Sequence, residues 1–225
     1  MKISDIIKER LISNNVRYWA NDNISDYIKE DEYALLIDEI THNFENTLSS
    51  LIIDIDTDPN SKGTARRLAK MYINEILSGR YHGQPNVTAF PNEGTDEYSG
   101  MITIRSEIKS ICSHHHQPVQ GTCYIGIIPN GKVLGLSKYI RIAQWHARRG
   151  TLQEELTSRI ANAIMDLTGS EHVGVHIAAT HGCCENRGVM AHSSLTQTTV
   201  LKGWFQENPE VKKEFMDNIK LQENR

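Results

Sequence analysis

The sequence predicts an α+β protein in which helices come first and antiparallel strands follow. Three observations carry this expectation. Apolar residues recur at three and four as far as Ile76, β-branched runs begin near Met101, and one long helical pattern interrupts those runs between Leu152 and Leu167.

The elements follow in chain order. Ile6, Ile7 and Leu11 give a short apolar helix face, and Leu35, Leu36, Ile40, Phe44, Leu48, Leu51 and Ile52 give a longer one. Asp54 to Gly63 is rich in Asp, Asn, Pro and Gly and reads as a loop. A third helix starts with Thr64 as N-cap, turns Leu68, Met71, Tyr72 and Ile76 inward, and stops at Gly79. Tyr81 to Glu97 has little periodicity and contains Pro85 and Pro91, so it marks the junction between an N-terminal helical extension, 1–85, and a second domain, 86–225.

In that second domain, Met101 to Ile108 and Thr122 to Ile128 read as strands. Pro129-Asn130-Gly131-Lys132 is a turn, with Val133 to Leu136 as the returning strand. Leu152, Leu156, Ile160, Ala163, Ile164 and Leu167 form the strong helix, closed by Gly169. Val173, Val175, Ile177 and Ala179 alternate as a strand with one buried face should, and Ser194 to Val200 reads as another. The expected architecture is an antiparallel sheet with helices on one face.

Composition narrows the function. A formal net charge of -4 gives no global field toward nucleic acid or an anionic membrane, so a phosphorylated substrate would be held by local lysines and arginines. No apolar stretch is long enough to span a bilayer, and the start Met1-Lys2-Ile3-Ser4-Asp5 lacks a secretory apolar core. The expectation is a cytoplasmic protein, in which Cys112, Cys123, Cys183 and Cys184 are thiols or metal ligands rather than disulfides.

The densest chemistry is Cys112-Ser113-His114-His115-His116, where Cys112 and His115 have a Cys-x2-His spacing. A second cluster, His181-Gly182-Cys183-Cys184, follows the alternating strand. Thiolate and imidazole are zinc ligands, and three protein ligands with an open fourth position form a catalytic rather than a structural site. A closed site would take its fourth ligand from His116, His181 or Cys184; packed thiols beside solvated histidines are the competing reading.

Gly135-Leu136-Ser137-Lys138-Tyr139-Ile140-Arg141 sets a hydroxyl and two cations together at the end of a strand, as phosphate oxygens require. Arg187, Arg66 and Arg67 could add charge, although short basic stretches are commonly solvated surface. Thr151-Leu152-Gln153-Glu154 has the form of a capping box, with recognition of a guanine edge by the carboxylate as the alternative use.

These features occur in the order and spacing of one family. Ser110-Ile111-Cys112-Ser113-His114-His115 resembles the Ser-x-Cys-Glu-His-His of the GTP cyclohydrolase I family. Gly135 to Arg141 resembles its Gly-Leu-Ser-Lys-x-x-Arg, and Gln153-Glu154-Glu155-Leu156-Thr157 its Gln-Glu-Arg-Leu-Thr. His181-Gly182-Cys183 with Arg187-Gly188 is similar to its His-x-Cys-x-x-x-Arg-Gly, and Thr64-Ala65-Arg66-Arg67 to its Thr-Pro-x-Arg. The resemblance runs from about Thr64 to Phe205, with departures at Ala65, Ser113, His116, Gln117 and Glu155.

The resemblance implies a tunnelling fold and a zinc-dependent hydrolysis of GTP that releases formate and gives 7,8-dihydroneopterin triphosphate, ahead of folate, pterin-cofactor or deazapurine synthesis. It assigns Zn2+ to Cys112, His115 and Cys183, and the imidazoles at the reacting ring to His114 and His181. Gln153 and Glu154 would hold the guanine edge. Lys138, Arg141 and Arg187 would hold triphosphate, with Ser137 near the sugar or phosphate and Arg67 a weaker candidate. The implied assembly is a homodecamer of two pentamers with active sites between subunits. Two rivals are a nitrile-reducing enzyme of the same fold acting on a deazaguanine, and a zinc-stabilised nucleotide-binding oligomer without turnover.

Overall fold

The computed structural model describes residues 2–223, and the chain divides after Gly83 into two compact units. The first is helical. It contains α1 (Ile3–Ser13), a 3-10 turn at Ser25–Tyr27, α2 (Glu32–Ser50), α3 (Thr64–Met71) and the short α4 (Ser78–Tyr81). Its core gathers Ile7, Leu11, Ile24, Ile28, Leu36 and Ile73. Arg10 donates to both carboxylate oxygens of the buried Glu32, at 2.7 and 2.6 Å, and holds that carboxyl down at about 2.

Three expectations change in this unit. The buried face along 64–77 is Ala65, Ala69, Ile73 and Leu77, whereas Leu68, Met71, Tyr72 and Ile76, expected inward, are half-buried. The N-cap of α3 is Gly63 at φ 75, one residue before Thr64, because the loop arrives in a left-handed conformation that suits glycine. The apolar face predicted along α2 is covered only in part. Leu36 is buried, whereas Leu35, Leu51 and Ile52 stand exposed.

The second unit opens with β1 (Ala89–Pro91) and is built on a five-stranded sheet in the order β5-β2-β3-β6-β7. Its strands are β2 (Ile102–Cys112), β3 (Pro118–Ile127), β5 (Gly150–Thr151), β6 (Val173–His181) and β7 (Thr196–Leu201). All neighbours are antiparallel except β5, which runs parallel to the end of β2. The expected return strand after Gly131 is β4 (Lys132–Leu134), but it pairs with β1 in a separate two-stranded ribbon rather than with β3. From Leu136 the chain coils into α5 (Leu136–Ala147) where the sequence suggests a strand end, because Tyr139, Ile142, Ala143 and Ala147 recur at helical spacing and are all buried.

Strand alternation sorts the side chains onto two faces. Cys123, Ile125, Ile127, Val173, Val175, Ile177 and Ala179 pack under α5 and α6 (Gln153–Thr168), which is the expected helical layer. The opposite face carries a second, smaller core. Tyr124 and Ile128 meet Phe205, Phe215 and Ile219 from α8 (Trp204–Glu207) and α9 (Pro209–Glu223). Helices therefore cover both faces. Gly126 and its cross-strand partner Gly174 make this possible, since a Cβ on either would lie 2.6 Å from the Phe205 ring. The remaining helix, α7 (Gly182–Glu185), follows β6 directly.

Candidate active site

Strand pairing brings together residues far apart in sequence. The β2–β3 hairpin turns at 113–117, closed by Cys112 N–H donating to Gln117 O at 2.9 Å and His116 N–H to Cys112 O at 2.9 Å. The turn places His116 at φ 51, an uncommon conformation for a residue with a side chain. β3 lies between β2 and β6, with Ile111 opposite Pro118 and Val119 opposite His181. The end of β6 and the first turn of α7 therefore arrive beside the hairpin turn. In the resulting cluster Cys112, His115 and Cys183 offer ligand atoms that all lie within 4.8 Å of one another.

The donor set fits a divalent transition ion. Two sulfurs and one imidazole suit zinc, and Cys112 is buried while His115 is exposed, which gives the cluster a closed side and an open side. Burial, together with the neighbouring Cys112 and Cys184 thiols, pushes Cys183 up to about 11. A cation between the sulfurs would reverse that balance, because thiolates are the ligand form. Cys184 lies 4.0 Å from Cys183, sulfur to sulfur, but does not join the converging group, and Cys123 is buried in the core.

The parallel pairing of Cys112 with Thr151 delivers the start of α6 to the same place. It also overturns the capping-box reading. The N-cap of α6 is Leu152, with no side-chain cap, and the Thr151 hydroxyl donates to Leu152 O at 3.0 Å. Thr151 pairs in the sheet as β5, and its hydroxyl is turned to Leu152 O rather than to the first N–H groups of the helix. Glu154 is exposed on the first turn of α6. Gln153 is buried, and its amide meets His181 Nε2 at 2.8 Å on one side and Ile177 O, Thr196 O and Thr198 Oγ1 on the other. Burial lowers the pKa of His181, opposed by the nearby charges of Glu154 and Glu185. His114 is exposed beside His115, edge to face at 6.3 Å between ring centres.

The basic residues are placed differently. Ser137, Lys138 and Arg141 occupy the first two turns of α5, whose other end, Ala147, leads into β5 at Cys112. At 1.5 Å per residue the helix from Ser137 to Ala147 spans roughly 15 Å. None of the three belongs to the converging Cys112–His115–Cys183 group. Arg187 is exposed just beyond α7. Arg67 donates to Lys62 O at 3.1 Å and Thr64 Oγ1 at 2.8 Å, within its own loop, and Arg66 pairs with Asp38 at 2.6 Å. Sequence reading missed Thr157 and Thr198, which support Gln153. Thr157 was within reach, being one helical turn after Gln153 on the same face.

The sequence profile of the GTP cyclohydrolase I family matches residues 41–220. The chain belongs to the GTP cyclohydrolase I family. It is similar to GTP cyclohydrolase 1 of Aeromonas salmonicida, 42% identical over 176 residues that cover 77% of this chain and 79% of the relative. GTP cyclohydrolase 1 of Vibrio vulnificus is 38% identical over 185 residues, covering 81% of this chain and 84% of that one. The chain is thus an enzyme of the GTP cyclohydrolase I type, with the tunnelling fold of its family and a Cys-His-Cys group that could bind a metal. None of its described helices is long and apolar enough to cross a membrane.

Proposed function

We propose that the enzyme opens the imidazole ring of the guanine of GTP by hydrolysis, releases formate and yields 7,8-dihydroneopterin triphosphate. The observation that carries this reading is the convergence of Cys112, His115 and Cys183 within 4.8 Å, with His181 two residues from Cys183 at the end of β6. Cys112, His115 and Cys183 would hold a zinc ion, which when bound supplies Lewis acidity and a water of lowered pKa. His181 moves a proton to and from the imidazole nitrogen of the purine, and His114 supplies a second imidazole at the ring.

Glu154 reads the guanine edge. The ring N–H and the exocyclic amine are adjacent donors, and a carboxylate offers two acceptors side by side. Lys138, Arg141 and Arg187 bind the triphosphate, with Ser137 near the sugar or phosphate and Arg67 a weaker contributor because its guanidinium is already bonded within its loop. The length of α5 between Ser137 and the cluster favours phosphate binding by α5 of a neighbouring subunit, as in a homodecamer of two pentamers with sites at subunit boundaries. The chemistry belongs to the domain 86–225, preceded by the helical extension 1–85, in a cytoplasmic enzyme.

Purified enzyme incubated with GTP should release one formate per GTP and give a fluorescent pterin after oxidation. GTP bound without formate release would leave the enzyme as a nucleotide-binding oligomer and overturn the proposal.

A further inference from the structure

We infer that Gln153 is a positioning residue that locks His181 in the tautomer carrying its hydrogen on Nε2, so that Nδ1 is the nitrogen that exchanges a proton with the purine. The inference rests on the reading that His181 performs that exchange, and it removes Gln153 from direct recognition of guanine.

The hydrogen bonds around Gln153 leave one assignment. The residue is 4% exposed, so its polar atoms must find partners within the protein. One end of the amide lies 3.1 Å from Ile177 O, 3.0 Å from Thr196 O and 3.1 Å from Thr198 Oγ1. Two of these are backbone carbonyl oxygens, which only accept. The atom facing them must therefore be the NH2 group, and a flipped amide would set oxygen against oxygen. The threonine hydroxyls agree. Thr157 donates to Gln153 O at 2.7 Å, so its oxygen is left to accept from Thr198 at 2.7 Å, which in turn frees Thr198 Oγ1 to accept from the amide. With the NH2 end fixed, Oε1 is the end that faces His181 Nε2 at 2.8 Å. An amide oxygen only accepts, so Nε2 must carry hydrogen, and the neutral ring keeps its lone pair on Nδ1.

The same bonds span three elements. Gln153 stands in the first turn of α6, Ile177 and His181 on β6, and Thr196 and Thr198 on β7. The ring is therefore oriented by rigid elements rather than by a loop. Both amide hydrogens are engaged inside the protein, which leaves Glu154, its exposed neighbour, as the residue able to meet the guanine edge.

The test compares Gln153→Met, His181→Ala and the double variant in the metal-loaded enzyme, by steady-state kinetics with GTP. Gln153→Met removes the acceptor at similar volume. It should lower kcat by about 10- to 100-fold, the usual cost of misplacing a reacting group, and leave KM within a factor of about three. In the His181→Ala background the same change should have no further effect on kcat, because the clamp acts only through the ring. A raised KM with unchanged kcat would return Gln153 to guanine binding. Losses that multiply in the double variant would also overturn the inference. If Gln153→Met fails to fold, Thr198→Val serves instead: it removes one amide partner and should lower kcat in the same direction, again only when His181 is present. An unchanged kcat in Thr198→Val would then overturn the clamp. A fully active His181→Ala would instead sink the proton-exchange reading on which the inference rests.

Discussion

Glu154→Gln separates a substrate contact from a helix cap, because the two roles predict different magnitudes. A capping role is ruled out by the start of α6, where Leu152 is the N-cap and no side chain closes the helix. What Glu154 gives the fold is its charge in the first turn, worth about 0.3–1 kcal/mol at an exposed site. For a chain of this size that loss corresponds to a fall in Tm of at most about 2–4 °C. Under the proposed reading of the guanine edge, what it gives the substrate is larger. Charge-assisted bonds to the guanine donors are worth about 1.5–3 kcal/mol each, and the amide places a donor where one acceptor is needed. The expected loss in kcat/KM is then roughly 10- to 150-fold. The assay is formate release together with pterin fluorescence across a range of GTP concentrations, with Tm measured on the same preparation. Thr151→Ala is the control. Among the described residues its hydroxyl bonds to Leu152 O, so turnover should be nearly unchanged. Full kcat/KM in Glu154→Gln would refute the guanine contact and leave the choice of purine without a residue to explain it.

Cys183→Ala should reduce zinc from about one per chain to near none by elemental analysis and abolish turnover, since a catalytic site with three protein ligands loses its hold when one is removed; full metal occupancy would mean another ligand set. Gly126→Ala should lower stability by about 1–3 kcal/mol in denaturant unfolding, because the new methyl would sit 2.6 Å from Phe205 and 2.7 Å from Phe215, both fully buried; a silent substitution would show that α8 and α9 are not packed there. Glu32, with its carboxyl held at about 2 against an ordinary 4.5, stabilises the fold above pH 4.5, and that contribution should fade as the pH drops from 4.5 toward 2. Glu32→Gln should flatten this part of the stability–pH curve, and an unchanged curve would refute the assigned cause.

Much of the sheet was legible because one period dominates it. Val173, Val175, Ile177 and Ala179 alternate in sequence and all reach 0–1% exposure. The helix from Leu152 to Leu167 was equally plain. What escaped depended on partners distant in sequence. The short β4 looked like the return of a hairpin, yet its partner is Ala89–Pro91, upstream of the sheet. The second helical layer was hidden twice over. The strand side that receives it carries Gly126 and Gly174, which weaken a strand pattern, and α9 buries little more than Phe215 and Ile219. Small residues in a strand say that something comes close, not what.

The cluster shows the same division at finer scale. The metal-ligand candidates were readable because their chemistry is rare: sulfur and imidazole at short spacing have few other uses. Gln153 was readable only as a letter in a motif, and the motif does not say which way an amide points. That direction follows from two carbonyl oxygens, Ile177 O and Thr196 O, which every residue carries and no sequence pattern can mark. The role of Thr151 changed for a related reason. A threonine three residues before a glutamate looks like a cap until a parallel partner, Cys112, claims its backbone for the sheet. That pairing sets the cysteine of the hairpin beside the start of α6, and from there Gln153 reaches the histidine at the end of β6. Two residues of parallel strand thus link the cysteine–histidine cluster to the helix whose Gln153 meets His181, a link that only the register of the sheet reveals.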